Sequence, residues 1–491
     1  MSAPPATYSE LRRALDSGNR SSAELTEDCL ARIRRRDSEW NAFLTVDDTS
    51  ARAAAAAADA RRADARPLGP LDGVPVAVKD NLVTAGLRTT CASRYLADYV
   101  PPRDATVVAR LRAAGAVILG KANLDEFAMG SSNEHSAFGA VRNPHDPSRV
   151  PGGSSGGSCA AVAGALAPLA IGSDTGGSVR LPASFCGVVG VKPTYGRVSR
   201  SGLVAFGSSL DQPGPVARDV AGAAALLAVM SGHDPDDATS SLAPVPDWTA
   251  DLSGDVGSMK IGVVRDLLGD GVDDEVRTAV ERAIDALRAA GARIVDVELP
   301  HARFGVAAYY VLSSAEASAN LSRFDGVRYG ARAADVSDLE TLYERSRSEG
   351  FGAEVKRRIL IGTFALSAGY YDAYYARAQK ARRLIRADYG AAFVDADVLL
   401  SPVAPTPAFR LGERAEDPLA MYLTDAMTIP ASLAGVPALS VPVGISSGRL
   451  PIGAHLTAPA FAEGRLFRAA AALERAFGPA PWPASVAEEA A

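Results

Sequence analysis

Three short stretches hold residue types that could perform acyl transfer. Lys79 closes the apolar run GVPVAVK at 73–79. Lysine is seldom buried without a partner, because removing water disfavours the ammonium form. Taken alone, Lys79 reads in two ways. It is either a side chain reaching out of a strand end to water, or an amine of depressed pKa able to act as a base. Its neighbour Asp80 would point to the opposite face of a strand and makes a poor partner. The other stretches are PGGSSGGS at 151–158 and GSDTGGSVR at 172–180. Each sets serine hydroxyls among glycines just before a helix start. Glycine lets the backbone approach a ligand closely, and clustered N–H groups at such a start stabilise negative charge. A tetrahedral oxyanion needs that environment. One such loop is no more than a tight turn. Two, joined by one helix and one strand, form a constellation.

The elements that must position these residues follow from periodicity. Residues 7–65 read as helical, with Tyr8, Leu11 and Leu15, then Leu25, Cys29 and Ile33, at helical spacing and Ser22 as an N-cap. The alanine run 53–58 reads as part of a charged surface helix. From about residue 70 the pattern changes to glycine-bounded apolar runs alternating with helices. GVPVAV, AVILG, PLAIG, KIGVV (260–264), ADVLLS (396–401) and ALSVPVG (438–444) read as buried strands, with helices at 104–114 and 156–167. Strands alternating with helices imply an α/β layered fold around a largely parallel or mixed sheet. The polar stretch 233–257 is the longest candidate linker, and a charge-rich helical block at about 302–390 reads as an insertion over the sheet. No fixed-period repeat is present. The expectation is one domain over 1–491, with N-terminal helices at about 7–65 and a core at about 70–230.

Composition sets the limits. The chain has 491 residues, 47% hydrophobic and 22% charged, which is ample material for a large core. A net charge of −6 with no basic block argues against an unaided grip on nucleic acid. Cys29, Cys91, Cys159 and Cys186 form no CxxC pair and read as free thiols in a reducing compartment. The start MSAPPATYSELRR lacks a leader's apolar region, and the weakly apolar stretch 159–172 is too short for a membrane span. The expectation is a cytoplasmic protein with no membrane association. GAVILGK (115–121) imitates a phosphate loop, but Ala122 stands where a hydroxyl should ligate magnesium and the intervening residues favour a strand. Gly152, Ser154 and Gly156 match GxSxG, yet turn chemistry rather than a strand precedes them. The five histidines show no metal-binding spacing, so no metal is expected. His135 and His145, near the first Ser/Gly loop, read either as solvated or as one possible base.

GVPVAVKDN, PGGSSGGS and GSDTGGSVRLPASFCGVVGVKPTYGRVS, in this order, resemble the amidase signature family. The resemblance implies an α/β/α sandwich around a mixed β-sheet and a Ser–Ser–Lys triad. Ser178 would be the nucleophile, Ser154 the relay and Lys79 the base, with backbone N–H groups of Thr175, Gly176, Gly177 and Ser178 as the oxyanion hole. Further segments, including DEFAMGSSNEHSAFGAVRNP (125–144), SRSEGFGAEVKRRILIGTFALSAGYYDAYY (346–375) and DPLAMY (417–422), are similar to the glutamine-hydrolysing A subunits of bacterial tRNA-dependent amidotransferases. Segments 404–416 and 480–491 have no clear match. The similarity implies glutamine as substrate, held by Met129, Ser131, Tyr309, Arg358 and Asp425. It implies B and C partner subunits. ATP, Mg2+ and the misacylated tRNA would belong to the B subunit, with no cofactor in this chain. Arg358 would meet the substrate carboxylate through a bidentate fork, and Asp425 its ammonium. On spacing alone Arg358 equally belongs to a solvated helix face, and Arg357 and Tyr310 stand beside the named residues. Two rivals differ in class: a free-standing amidase for small amides, and a non-catalytic scaffold protein of the same complex.

Overall fold

β-branched and glycine-bounded runs fold as strands throughout the computed structural model, which describes residues 7–490. The first six residues, on which part of the leader argument rests, and Ala491 lie outside the described residues. The strands are β1 (Phe43–Val46), β2 (Pro75–Lys79), β3 (Val117–Ala122), β4 (Leu169–Asp174), β5 (Val189–Lys192), β6 (Gln212–Ala217), β7 (Lys260–Val264), β8 (Arg293–Val297), β9 (Val398–Pro402), β10 (Ala438–Ile445) and β11 (Pro451–Thr457). They form one sheet of order β1-β3-β2-β4-β6-β5-β10-β11-β9-β7-β8. β3, β2 and β4 run parallel, as do β9, β7 and β8, whereas the centre from β4 to β9 is antiparallel. The sheet is therefore mixed, and helices cover both faces.

Strand parity decides where the lysine goes. Val76 and Val78 enter a core with Val107, Leu111 and Leu226, while Ala77 packs on the other face with Ala160 and Ala161. Side chains alternate along a strand, so Lys79 shares the face of Ala77. That face is covered by the helix Gly156–Ala163 and the loop before it. Asp80 indeed turns away. Its Oδ2 accepts from Thr90 N at 2.8 Å, and its Oδ1 lies 3.6 Å from Lys121 Nζ. Lys121, the lysine of the phosphate-loop imitation, is wholly buried and donates to Thr84 Oγ1 and Thr89 Oγ1 at 3.1 and 2.9 Å. It sits on β3 and is consumed by structure.

Several expectations change. The block 7–65 is not helical throughout, because β1 interrupts it and pairs antiparallel with β3 at the sheet edge. The N-cap is Ser21, not Ser22: Ser21 and Glu24 form a reciprocal capping box, and Ser22 Oγ donates instead to Gly73 O. In the helix Asp48–Ala63, Ala51, Ala55 and Ala58 face the core, so the alanine run is only partly surface. The helices expected at 104–114 and 156–167 are shorter, Thr106–Ala113 and Gly156–Ala163. The stretch 233–257 crosses the surface and is pinned by Trp248, packed against Phe467. Within 302–390 lie the helices Gly305–Asn320, Leu339–Gly350 and Ala353–Leu366 and most of Tyr375–Asp395. All four cysteines are free and buried.

One buried ion pair ties the layers together. Asp174, at the end of β4, accepts from Arg180 Nε and Nη2, each at 2.9 Å. Arg180 also donates to Thr428 O at 2.9 Å and Ser432 Oγ at 2.8 Å, and meets His455 Nε2 at 2.9 Å. Both partners have no exposed side-chain surface. Removing one member of such a pair strands the other charge, at a cost of about 3–5 kcal/mol. Asp174→Ala should lower the urea midpoint accordingly, a loss far larger than that of an exposed pair such as Arg345–Glu349 mutated in the same way.

Candidate active site

The strand β2 delivers Lys79 to the two Ser/Gly loops. Lys79 Nζ lies 2.8 Å from both Ser154 Oγ and Ser155 Oγ, 3.0 Å from Ser173 Oγ and 3.2 Å from Ser173 O. The peptide bond between Gly153 and Ser154 is cis. The two loops are stitched together by Ser155 N donating to Ser178 O at 3.0 Å. The three hydroxyls around the amine are not equivalent. Ser155 donates to Ser173 O at 3.1 Å, and Ser173 Oγ accepts from Asn81 Nδ2 at 2.9 Å. Ser154 Oγ has Lys79 as its one partner among the described residues, so its proton is uncommitted. The Ser178 hydroxyl has no hydrogen-bond partner among them, and the residue is 5% exposed.

Burial lowers the Lys79 pKa to about 7, against the opposing pull of Asp125 and Asp174. Asp125 is itself buried, which raises its pKa, and it accepts from Asn133 N at 2.9 Å and His135 N at 3.1 Å. It fills the space beneath Gly153, where an added Cβ would lie 2.0 Å from Asp125 Oδ2. Neither histidine of that region reaches the serines through a hydrogen bond. The His145 Nε2 bonds Cys186 O at 3.1 Å, and burial lowers the ring's pKa to about 4.

The loop after β4 presents a patch of amides. Among the described residues, none of the N–H groups of Thr175, Gly176, Gly177 and Ser178 has an acceptor, whereas the next two, Val179 and Arg180, donate to Asp174 Oδ2. Thr175 is anchored by its hydroxyl, which donates to Asp211 Oδ1 at 2.7 Å. The two glycines leave room for what stands opposite. A Cβ at Gly176 would lie 2.7 Å from the Tyr309 ring, and one at Gly177 would lie 2.1 Å from Thr428 Oγ1 and 3.1 Å from Asp425 Oδ1. Tyr309 and Asp425 thus face the same loop as Ser178.

The other residues expected to hold the substrate lie close to this loop. Ser131 Oγ donates to Asp425 Oδ2, while Asp425 Oδ1 is buried and without a hydrogen-bond partner among the described residues. Burial raises the Asp425 pKa to about 7, opposed by the Ser131 bond. Met129 is fully buried in the apolar cluster that includes Phe206, Tyr309 and Tyr310. Arg358 is 2% exposed, whereas the side chain of its neighbour Arg357 is 45% exposed. The Arg358 guanidinium carbon lies 4.5 Å from the Tyr310 ring centre and 4.9 Å from that of Tyr422. Tyr310 packs edge-on against Tyr309, so the two tyrosines bridge from Gly176 to the Arg358 guanidinium.

Comparison with known proteins gives the family. A family model described as Amidase matches residues 24–467. The chain belongs to the amidase family. It is an enzyme of that family and has the mixed-sheet architecture of its solved members. The A subunit of the glutamyl-tRNA(Gln) amidotransferase of Anaeromyxobacter sp. (strain K) is 58% identical over 464 residues, covering 94% of each chain. Its counterpart of the same name from Thermosynechococcus vestitus (strain NIES-2133 / IAM M-273 / BP-1) is 54% identical over 473 residues, 96% of this chain and 98% of that one. The crystal structure of the glutamyl-tRNA(Gln) amidotransferase A subunit from Thermotoga maritima superposes with a TM-score of 0.79 at 44% identity over 94% of each chain. The native peptide amidase of Stenotrophomonas maltophilia superposes with a TM-score of 0.84 at 34% identity over 98% of each chain.

Some residues around this amidase site were not singled out in the sequence. Ser155, Ser173 and Asn81 complete the shell around the lysine, and Asp125 lies beneath it. All four lie in segments already noted in the sequence, Ser155 in PGGSSGGS, Ser173 in GSDTGGSVR, Asn81 in GVPVAVKDN and Asp125 at the start of 125–144, but none of them was given a role there. Among the described residues, no group of three or more His, Cys, Asp or Glu side chains could hold a metal ion. No helix among them is long and apolar enough to cross a membrane.

The lowered amine pKa has a direction. Below about 7 Lys79 is protonated and cannot accept a proton; above it the neutral amine can. Inactivation of Ser178 by phenylmethylsulfonyl fluoride should therefore accelerate as pH rises through about 7. Lys79→Ala should flatten that profile, whereas Asp425→Asn should leave it in place.

Proposed function

We propose that this chain hydrolyses free glutamine through Lys79, Ser154 and Ser178 and supplies the ammonia to a tRNA-dependent amidotransferase. The observation that supports the choice of glutamine is a buried carboxylate oxygen and a buried guanidinium edge near one another, each without a hydrogen-bond partner among the described residues. Among the described residues, Asp425 Oδ1 has no hydrogen-bond partner, and neither does either Nη of Arg358, whose Nε alone is engaged. A free amino acid brings an ammonium and a carboxylate to match; a simple aliphatic or aryl amide brings neither.

The chemistry follows from the proton each group can release. Ser178 Oγ attacks the side-chain amide carbon and passes its proton to Ser154 Oγ, which gives its own to neutral Lys79. The oxyanion is held by the N–H groups of Thr175, Gly176, Gly177 and Ser178. Lys79 returns a proton through Ser154 to the leaving nitrogen, releasing ammonia and leaving a γ-glutamyl ester on Ser178. Water activated by the same route cleaves that ester and gives glutamate. Met129 and Ser131 complete the pocket, Ser131 by orienting Asp425, and Tyr309 closes it opposite Gly176.

The names of the amidotransferase relatives describe one component of a larger enzyme. On this reading the chain works in the cytoplasm with B and C subunits. ATP, Mg2+ and the misacylated tRNA bind to the B subunit, which suits a chain of net charge −6. The chain itself uses no cofactor.

Ser178→Ala should reduce ammonia release from amide-labelled glutamine by at least about 10³-fold, in line with loss of a covalent nucleophile. Arg358→Ala should raise the glutamine KM by about 10- to 100-fold with little change in kcat, as expected for losing charged hydrogen bonds made equally in ground and transition states. Undiminished turnover in the serine variant would refute the mechanism, and an unchanged KM in the arginine variant would refute the assignment of glutamine.

A further inference from the structure

We propose that Glu354 is a positioning residue that holds the Arg358 guanidinium so that its two terminal nitrogens stay open to the carboxylate of a free amino acid substrate. The proposal rests on the glutamine reading of the pocket and explains how the carboxylate half of it is built. Glu354 and Arg358 are one turn apart on the helix Ala353–Leu366, with the acid on the N-terminal side, the favourable order for such a pair. Both are buried, at 5% and 2% exposure.

The way they meet is the informative point. A carboxylate commonly takes an arginine through two parallel bonds. Here Glu354 Oε1 accepts from Arg358 Nε at 2.7 Å and reaches no Nη. The same oxygen accepts from Tyr422 OH at 3.0 Å, and Oε2 is occupied by Arg357. Both oxygens of Glu354 are therefore occupied, and neither is hydrogen-bonded to an Nη of Arg358. The guanidinium is further confined by the stacked Tyr310 and Tyr422 rings, 3.8 Å apart, and by Phe206, 5.8 Å from its carbon. Burial opposes ionisation of Glu354, but the Arg358 charge and hydrogen bond hold its pKa below the ordinary value. The result is an arginine whose charge is balanced internally and whose paired donors remain unspent. A second carboxylate arriving in the plane of the Nη edge completes it; a substrate without one leaves it unsatisfied.

The test is calorimetric binding to the full chain carrying Ser178→Ala, which removes turnover. The ligands are glutamine and 4-aminobutanamide, the same molecule without its α-carboxylate. Adding Glu354→Ala should weaken glutamine about 10- to 50-fold, the scale of a charged hydrogen bond, and leave 4-aminobutanamide within about twofold. Glu354→Gln keeps an oxygen for Nε and should retain glutamine within about threefold. Tyr422→Phe removes one bond to Glu354 while keeping the ring, and should weaken glutamine about two- to fivefold, so the idea stays testable if the alanine variant misfolds. Equal loss for both ligands, no loss for glutamine, or a glutamine variant as weak as the alanine variant would each overturn the positioning role. If the parent binds 4-aminobutanamide as tightly as glutamine, the glutamine reading fails first, and the role of Glu354 falls with it.

Discussion

The desolvation of a single amine organises this site. An ammonium withdrawn from water is costly, and Lys79 is surrounded by hydroxyls and a carbonyl rather than by a carboxylate in direct contact. A contacting acid would have stabilised the charge and raised the pKa. Asp125 and Asp174 instead act at a distance, each committed elsewhere, Asp125 to backbone amides and Asp174 to Arg180. The amine therefore stays poised near neutrality. Everything nearby serves that balance: β2 aims the side chain, the first Ser/Gly loop brings Ser154 and Ser155 against it, and Ser173 closes the remaining side.

The same commitment explains the neighbouring loop. Because Asp174 gathers the amides of Val179 and Arg180, the four preceding amides are left unclaimed. Arg180 then fastens this turn to Thr428 O and Ser432 Oγ, in the segment that carries Asp425. Chemistry and recognition are joined by one buried guanidinium.

Much of this was legible in the sequence, and the rest was not for physical reasons. Runs such as GVPVAV and KIGVV are buried on both sides and announce themselves as strands. β1 (FLTV) is a short edge strand inside a helical stretch, and β6 contains two prolines, so neither has a clear pattern. Loop chemistry singled out Lys79 and the two Ser/Gly loops, while the roles expected of Lys79, Ser154 and Ser178 came from the resemblance to the amidase signature family. Ser155 could not be separated from Ser154, since only the hydrogen-bond directions distinguish a fixed hydroxyl from one with a proton to move. Arg357 and Arg358 are identical by composition, and helical phase against the tyrosines at 310 and 422 separates them. Asp125 and Glu354 act across long sequence separations or through a single geometric preference, and local pattern carries no trace of that. The capping boundary slipped by one residue because Ser21 and Ser22 are equally suited by type.

The proposed base, relay and nucleophile fall between residues 79 and 178, while most of the proposed substrate contacts and their supports, Tyr309, Glu354, Arg358, Tyr422 and Asp425, fall between 309 and 425, Met129 and Ser131 being the exceptions. The two sets meet in space but occupy separate lengths of chain. A lineage can therefore rewrite the second length, altering which molecule is admitted, while inheriting the desolvated lysine unchanged. The first length carries little tolerance, because any polar intrusion near Lys79 resets its proton affinity. Divergence in an enzyme built this way is lopsided: substrate choice is open to drift, and the reaction is not.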